Sequence, residues 1–187
     1  MAAYIKKKFL LALMVLLLLV VSSYARFNMM VAKGKIESIC TKDVNHSLCF
    51  EILKPTPEIE KLDFSGLAKF VINYQSRYTS DTLNQVKMFE GNTTGADLQT
   101  LQLCAELYDD SLFRNDLALK VLASKDYDSL NTEVGFTLAY TNTCNDELIT
   151  MKPVPQVLFK KNSDISAMST IILVILECFI REVKIRC

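Results

Sequence analysis

The sequence predicts an all-α protein built as a helical bundle. Three observations carry this. Apolar residues recur at helical spacing over long segments, no convincing run of strand alternation appears, and the 187 residues include only four prolines and five glycines. The mature chain, about 160 residues, is the size of one domain with one core. No internal repeat or low-complexity tract divides it.

Residues 1–25 read as a secretory signal peptide, and residues 26–187 as the single mature domain. Lys6, Lys7 and Lys8 form a basic start, Phe9 to Val21 is unbroken apolar sequence, and Ser23-Tyr24-Ala25 offers small residues for cleavage before Arg26. A signal anchor is the competing reading, but the apolar run is shorter than the ~20 residues a membrane span needs. Cleavage removes three of the 21 basic residues and no acid, leaving 18 against 21, a formal −3. A weakly acidic secreted chain argues against a nucleic-acid partner.

Residues 31–57 form a hairpin-like arm. Cys40 and Cys49 enclose eight residues, a short loop that a disulfide closes readily in an oxidising compartment. Asn45-His46-Ser47 within it is a glycosylation sequon, which suits an exposed turn. His46 is the chain's one histidine, so a metal site or a Ser/His pair has no second imidazole to draw on. It reads as a solvated loop residue. Pro55 and Pro57 separate the arm from the rest.

The first long helix is expected from about Glu58 to Glu90, with Ile59, Leu62, Leu67, Val71, Tyr74, Tyr78, Val86 and Phe89 along its apolar line and Phe70 beside it. Gly91-Asn92-Thr93-Thr94-Gly95 ends it with turn residues, and Asn92 heads a second sequon.

From Leu103 to Asp146 the chain reads as an antiparallel helical hairpin with a cysteine on each arm. Leu98, Leu101, Ala105, Tyr108, Leu112, Leu119 and Leu122 mark one apolar face; Leu130, Val134, Leu138, Thr141 and Leu148 mark the other. The polar stretch Ser124 to Ser129 supplies the turn. With the turn near Asp126, Cys104 and Cys144 each lie about 30 Å along their helices. That places their thiols level, where a disulfide can close.

Lys152-Pro153-Val154-Pro155 breaks the helix, and a last one is expected to start at the capping residues Ser163-Asp164. Its line Ile165, Met168, Ile171, Ile172, Ile175, Phe179 includes a stretch that is apolar on every face. A membrane span is the rival reading. Glu177 interrupts the stretch and a charged tail follows, which fits a buried helix of a four-helix bundle better. If that helix runs on regularly, Cys178 and Cys187 stand about 13 Å apart. A disulfide needs roughly 7 Å or less, so Cys178 is expected as a buried free thiol.

The cysteine-bounded segment CTKDVNHSLC, the stretches CAELYDDS, SKDYDSLN and TNTCNDEL, and the proline-broken link to an apolar helix resemble the plant invertase and pectin methylesterase inhibitor family. The resemblance runs from Ile36 to about Ile180. It implies a four-helix up-and-down bundle with an N-terminal helical hairpin arm, stabilised by disulfides Cys40–Cys49 and Cys104–Cys144. Spacing alone leaves the pairing open, since six cysteines allow fifteen connectivities.

The resemblance further implies a secreted inhibitor of the plant cell wall or apoplast, probing an enzyme's substrate cleft one-to-one as a monomer, with no cofactor and no membrane partner once the leader is cleaved. The target is pectin methylesterase or, alternatively, a cell-wall or vacuolar acid invertase. Cell-wall invertase inhibitors of the family often carry Pro-Lys-Phe at the turn that opens the third bundle helix. Here that turn reads Asp126-Tyr127-Asp128-Ser129-Leu130-Asn131, which leans toward the esterase. Carried onto this chain, the binding face comprises Glu106, Tyr108, Asp110, Thr143 and Asp146, with Tyr108 as an aromatic anchor. Two other classes compete: a hydrolase using Glu106 and Asp110, four apart on one helical face, and a bundle that carries a lipid or small ligand. Nothing in the sequence marks a cleft, an oxyanion hole or a positioned nucleophile, so the chain reads as no enzyme.

Overall fold

The computed structural model describes residues 14–15, 33–54 and 56–181. The leader assigned to residues 1–25 therefore lies outside the described residues apart from Met14 and Val15, as do Pro55 and Cys187. Among the described residues there is no strand.

The arm is a pair of short helices, α1 (Lys33–Cys40) and α2 (His46–Ile52). Asn45 caps α2, its Oδ1 accepting from the Leu48 N–H, and the Cys40–Cys49 disulfide closes the loop with a Cα–Cα distance of 5.4 Å. Asp43 in the connecting turn is buried. Its carboxylate accepts from the Asn45 N–H at 2.8 Å and from the Thr170 hydroxyl at 2.6 Å, tying the arm to the last bundle helix. His46 is exposed.

The continuous helix expected from Glu58 is broken. A single turn, α3 (Pro57–Glu60), is capped by Thr56, and the long helix α4 (Phe64–Glu90) starts afresh with Asp63 as its N-cap. Asp63 Oδ1 accepts from Gly66 N–H at 2.6 Å. A Cβ on Gly66 would stand 3.0 Å from that same oxygen, so glycine keeps the cap close. Two local capping signals thus outcompete an apolar period that runs through the gap.

The central hairpin is α5 (Gly95–Ala123) and α6 (Tyr127–Leu148). Gly95 takes φ +69, where a side chain would be strained, and lets the chain reverse into α5. Asp126 caps α6, accepting from Ser129 N–H at 3.1 Å and from its hydroxyl at 2.7 Å. These bonds hold the Asp126 carboxyl below its ordinary value.

The last helix, α7 (Gln156–Ile175), begins two turns earlier than Ser163-Asp164 suggested. Pro155 sits at its N-cap, where the missing N–H costs nothing. Ser163 instead donates back to the Phe159 carbonyl at 3.0 Å, and Asp164 is buried, accepting from Tyr78 and from Lys160 at 2.9 Å each. The helix then widens into a π turn, Leu176–Ile180, with Arg181 N–H reaching the Leu176 carbonyl. Cys178 in this turn is disulfide-bonded, not the free thiol expected. That expectation rested on a regular helix continuing past it, and the regular helix ends at Ile175.

Each long helix packs on its neighbours in sequence, and α4 closes on α7, giving the up-and-down four-helix bundle; the arm rests on α7. The segment from Gln156 to Ile180 is long and apolar enough to cross a membrane, yet Ile165, Met168, Ile171, Ile172, Ile175 and Leu176 are wholly buried inside the bundle. Glu177, the other acid of this segment, is buried and paired like Asp164: Arg181 and Asn131 both donate to it at 2.9 Å.

The core divides into two apolar clusters, one toward the arm and one around Cys104–Cys144. Polar side chains from all four long helices are buried with them: Gln75 and Thr79, Ser111 and Asn115, Thr137 and Thr141, Asn162 and Ser169. Gln75 donates to Ser169 Oγ at 2.7 Å and to the Ile165 carbonyl at 2.9 Å; Asn162 donates to the Thr141 carbonyl. Such bonds join specific levels of neighbouring helices and so resist sliding of one past the next.

Candidate functional site

The Cys104–Cys144 bridge is a rung between α5 and α6, with an S–S distance of 2.04 Å and Cα atoms 5.1 Å apart. It fixes the antiparallel register of the hairpin, so residues just past Cys104 lie beside those just before Cys144. Neither helix can slip while the rung holds.

Four of the five residues carried over by the resemblance reach solvent near this rung. Glu106, Asp110, Thr143 and Asp146 are exposed. Glu106, Asp110 and Asp146 form no ion pair or side-chain hydrogen bond with any described residue, which leaves their carboxylates available to a partner. The Thr143 hydroxyl donates to the Ala139 carbonyl at 3.0 Å and keeps its lone pairs outward.

Tyr108 is the exception, and its role as an exposed anchor is corrected. Its side chain is 0% exposed, packed in the core cluster around the bridge, with its O–H toward Cys144 Sγ at 3.6 Å. Burial pushes the phenol above its usual range. Helical spacing explains the difference: Tyr108 is four residues from Cys104, so it shares the inward face.

The hairpin also exposes aromatic side chains that the sequence reading missed. Phe113 is 58% and Phe136 39% exposed. Between them lies Arg114, its guanidinium 4.3 Å from the Phe136 ring and 5.9 Å from Phe113, with Nη1 3.2 Å from Glu133. Tyr140 stacks on Phe136 at 6.2 Å. The available signal was two phenylalanines lying off the core stripe of their own helices.

A separate cleft of about 630 Å³ lies where the arm meets α4 and α7, lined by Glu51, Tyr74, Tyr78, Lys161 and Asp164 among others. Its polar groups engage one another. Tyr78 donates to Asp164 at 2.9 Å, its phenol pushed up by burial and then by that carboxylate, and Lys161 sits 4.6 Å over the Tyr78 ring. Among the described residues no group of three His, Cys, Asp or Glu side chains converges as a metal site would require.

The hairpin is held in register by its disulfide and exposes acidic side chains beside that bridge. Residues 34–175 match the family described as plant invertase/pectin methylesterase inhibitor. The chain is 28% identical over 141 residues to a pectinesterase inhibitor of Actinidia deliciosa, spanning 75% of this chain and 76% of that one. It is 24% identical over 176 residues to pectinesterase inhibitor 1 of Arabidopsis thaliana, spanning 94% and 96%. The crystal structure of a mutant form of a pectin methylesterase inhibitor from Arabidopsis has the same fold, with TM-score 0.70 at 22% identity, over 76% of this chain and 95% of that one. With most of its bundle matched, this chain belongs to the plant invertase/pectin methylesterase inhibitor family.

Proposed function

We propose that the mature chain is a secreted, monomeric, non-enzymatic inhibitor of pectin methylesterase in the plant cell wall. It binds one-to-one over the substrate cleft and so restrains pectin de-esterification. The observation that carries this reading is the unpaired acidic face, Glu106, Asp110 and Asp146 with Thr143, held on a hairpin whose register a disulfide locks. A preorganised face loses little freedom on binding. The two relatives named above, both called pectinesterase inhibitors, support the choice of target.

Acid invertase is the second reading, because the family name covers both enzymes. Against it stands the turn at Asp126, which caps α6 with no Pro-Lys-Phe to offer. Sugar at Asn45 and Asn92 belongs to the same proposal. Asn45 spends Oδ1 on its cap, leaving free the Nδ2 that would carry a glycan, and Asn92 is exposed.

The test is titration of each purified enzyme with the mature protein at fixed pH. Stoichiometric loss of esterase activity with invertase unaffected is the expected result. Strong invertase inhibition with no effect on the esterase reverses the choice of target, and hydrolysis by this chain alone ends the inhibitor reading.

A further inference from the structure

Phe113, Arg114, Phe136 and Tyr140 form one connected ridge across α5 and α6. Its members are joined by the cation–π contact at 4.3 Å, the ring pair at 6.2 Å and the Arg114–Glu133 ion pair. Exposed phenylalanines are costly to leave in water, and 58% and 39% exposure on adjoining helices makes this a patch, not an isolated side chain. The bundle does not need Phe113, which points away from both core clusters. Aromatic and arginine side chains gathered in this way are the composition of interface centres.

What covers it follows from position and charge. On α5, Phe113 lies one turn beyond Asp110; on α6, Tyr140 lies one turn before Thr143. The ridge therefore continues the acidic face without a break. Arg114 is neutralised by Glu133, while Glu106, Asp110 and Asp116 remain exposed carboxylates beside it. The combined surface is an apolar centre with an acidic border. A second copy of the chain would set like charges against each other, whereas a partner with basic side chains around an apolar contact is complementary.

We propose that this ridge is the apolar centre of the esterase-docking surface, taking over the anchoring role that buried Tyr108 cannot fill. The proposal rests on the function stated above. The aromatic centre then governs how slowly the complex dissociates, and the acidic border how quickly it forms.

The experiment measures association and dissociation of the mature chain on an immobilised pectin methylesterase, for wild type, the double variant Phe113→Ser with Phe136→Ser, the double variant Glu106→Gln with Asp110→Asn, and Val157→Ser, an exposed apolar control on α7 that is 61% exposed. Thermal melts check that each remains folded. Faster dissociation by about tenfold or more for the phenylalanine pair, with the control at wild-type level, is expected. Wild-type dissociation from the phenylalanine pair, while the acidic pair still slows association, overturns the ridge and leaves the function standing. Self-association of the wild type that the phenylalanine pair abolishes also overturns it, because the occupant is then a second copy. If wild type binds no esterase, the function falls and this proposal falls with it.

Discussion

The Tyr108 hydroxyl lies 3.6 Å from Cys144 Sγ, so the phenol is packed beneath the bridge that locks the hairpin. Tyr108→Phe removes one weak O–H to sulfur contact and should cost no more than about 1.5 kcal/mol. Tyr108→Ala, which empties a fully buried ring site, should cost about 3–5 kcal/mol. Denaturant unfolding gives both numbers. Inhibition by Tyr108→Phe should equal wild type; a large loss without unfolding would return Tyr108 to the binding face.

Replacing both Cys104 and Cys144 by alanine opens a loop of 40 residues. In the chain-entropy account this destabilises the bundle by about 3–4 kcal/mol. The midpoint of urea unfolding should fall accordingly. An unchanged midpoint would mean that packing alone sets the register.

Alkaline pH should destabilise the protein through Tyr78 and Tyr108. Both phenols are raised in the folded state, chiefly by burial. Above the ordinary phenol value of ~10 the unfolded chain releases these protons first. The folded state then holds more protons, and stability falls as pH rises. Ultraviolet titration should show two tyrosines ionising late. Asp164→Asn should move Tyr78 back toward the ordinary range but not reach it, since burial remains. An unmoved Tyr78 would remove Asp164 as a cause.

Asp126 should shape stability at strongly acidic pH, below its unfolded value of 3.8. Its folded carboxyl is held below 3.8 by Ser129, so its contribution is present above the unfolded value and is lost as pH falls through the folded one. Asp126→Asn keeps a capping oxygen and should remove that part of the acid dependence. Asp126→Ala should lower the melting temperature at every pH above it. Parallel melting curves against pH for wild type and Asp126→Asn would refute the account.

Local chemistry was legible in the residues. The turn at Asp126, the stop at Gly91 to Gly95 and the break at Pro153 and Pro155 each follow from capping or backbone freedom, and none requires knowledge of the rest of the chain; the two cysteine pairings came from the family resemblance, because spacing leaves fifteen connectivities open. Boundaries failed where two local signals competed: Asp63 interrupted a periodic stretch, and Ser163-Asp164 looked like a cap but lie inside α7.

Which way a side chain faces was decided by the fold. Leucines at 112 and 119 fit the apolar period, yet Ser111, Asn115 and Ala118 take the fully buried positions on α5. Four helices closing around one axis select the inward angle, and polar partners from α6 satisfy part of what is buried there, as Thr137 does for Asn115 at 3.3 Å. The same rotation carries Tyr108 inward and Phe113 outward. Sequence therefore determined the helices, their turns and the level placement of Cys104 and Cys144 that lets a rung close between them. Only tertiary packing, by choosing the face of each helix that meets its neighbours, decided which residues are left for a partner.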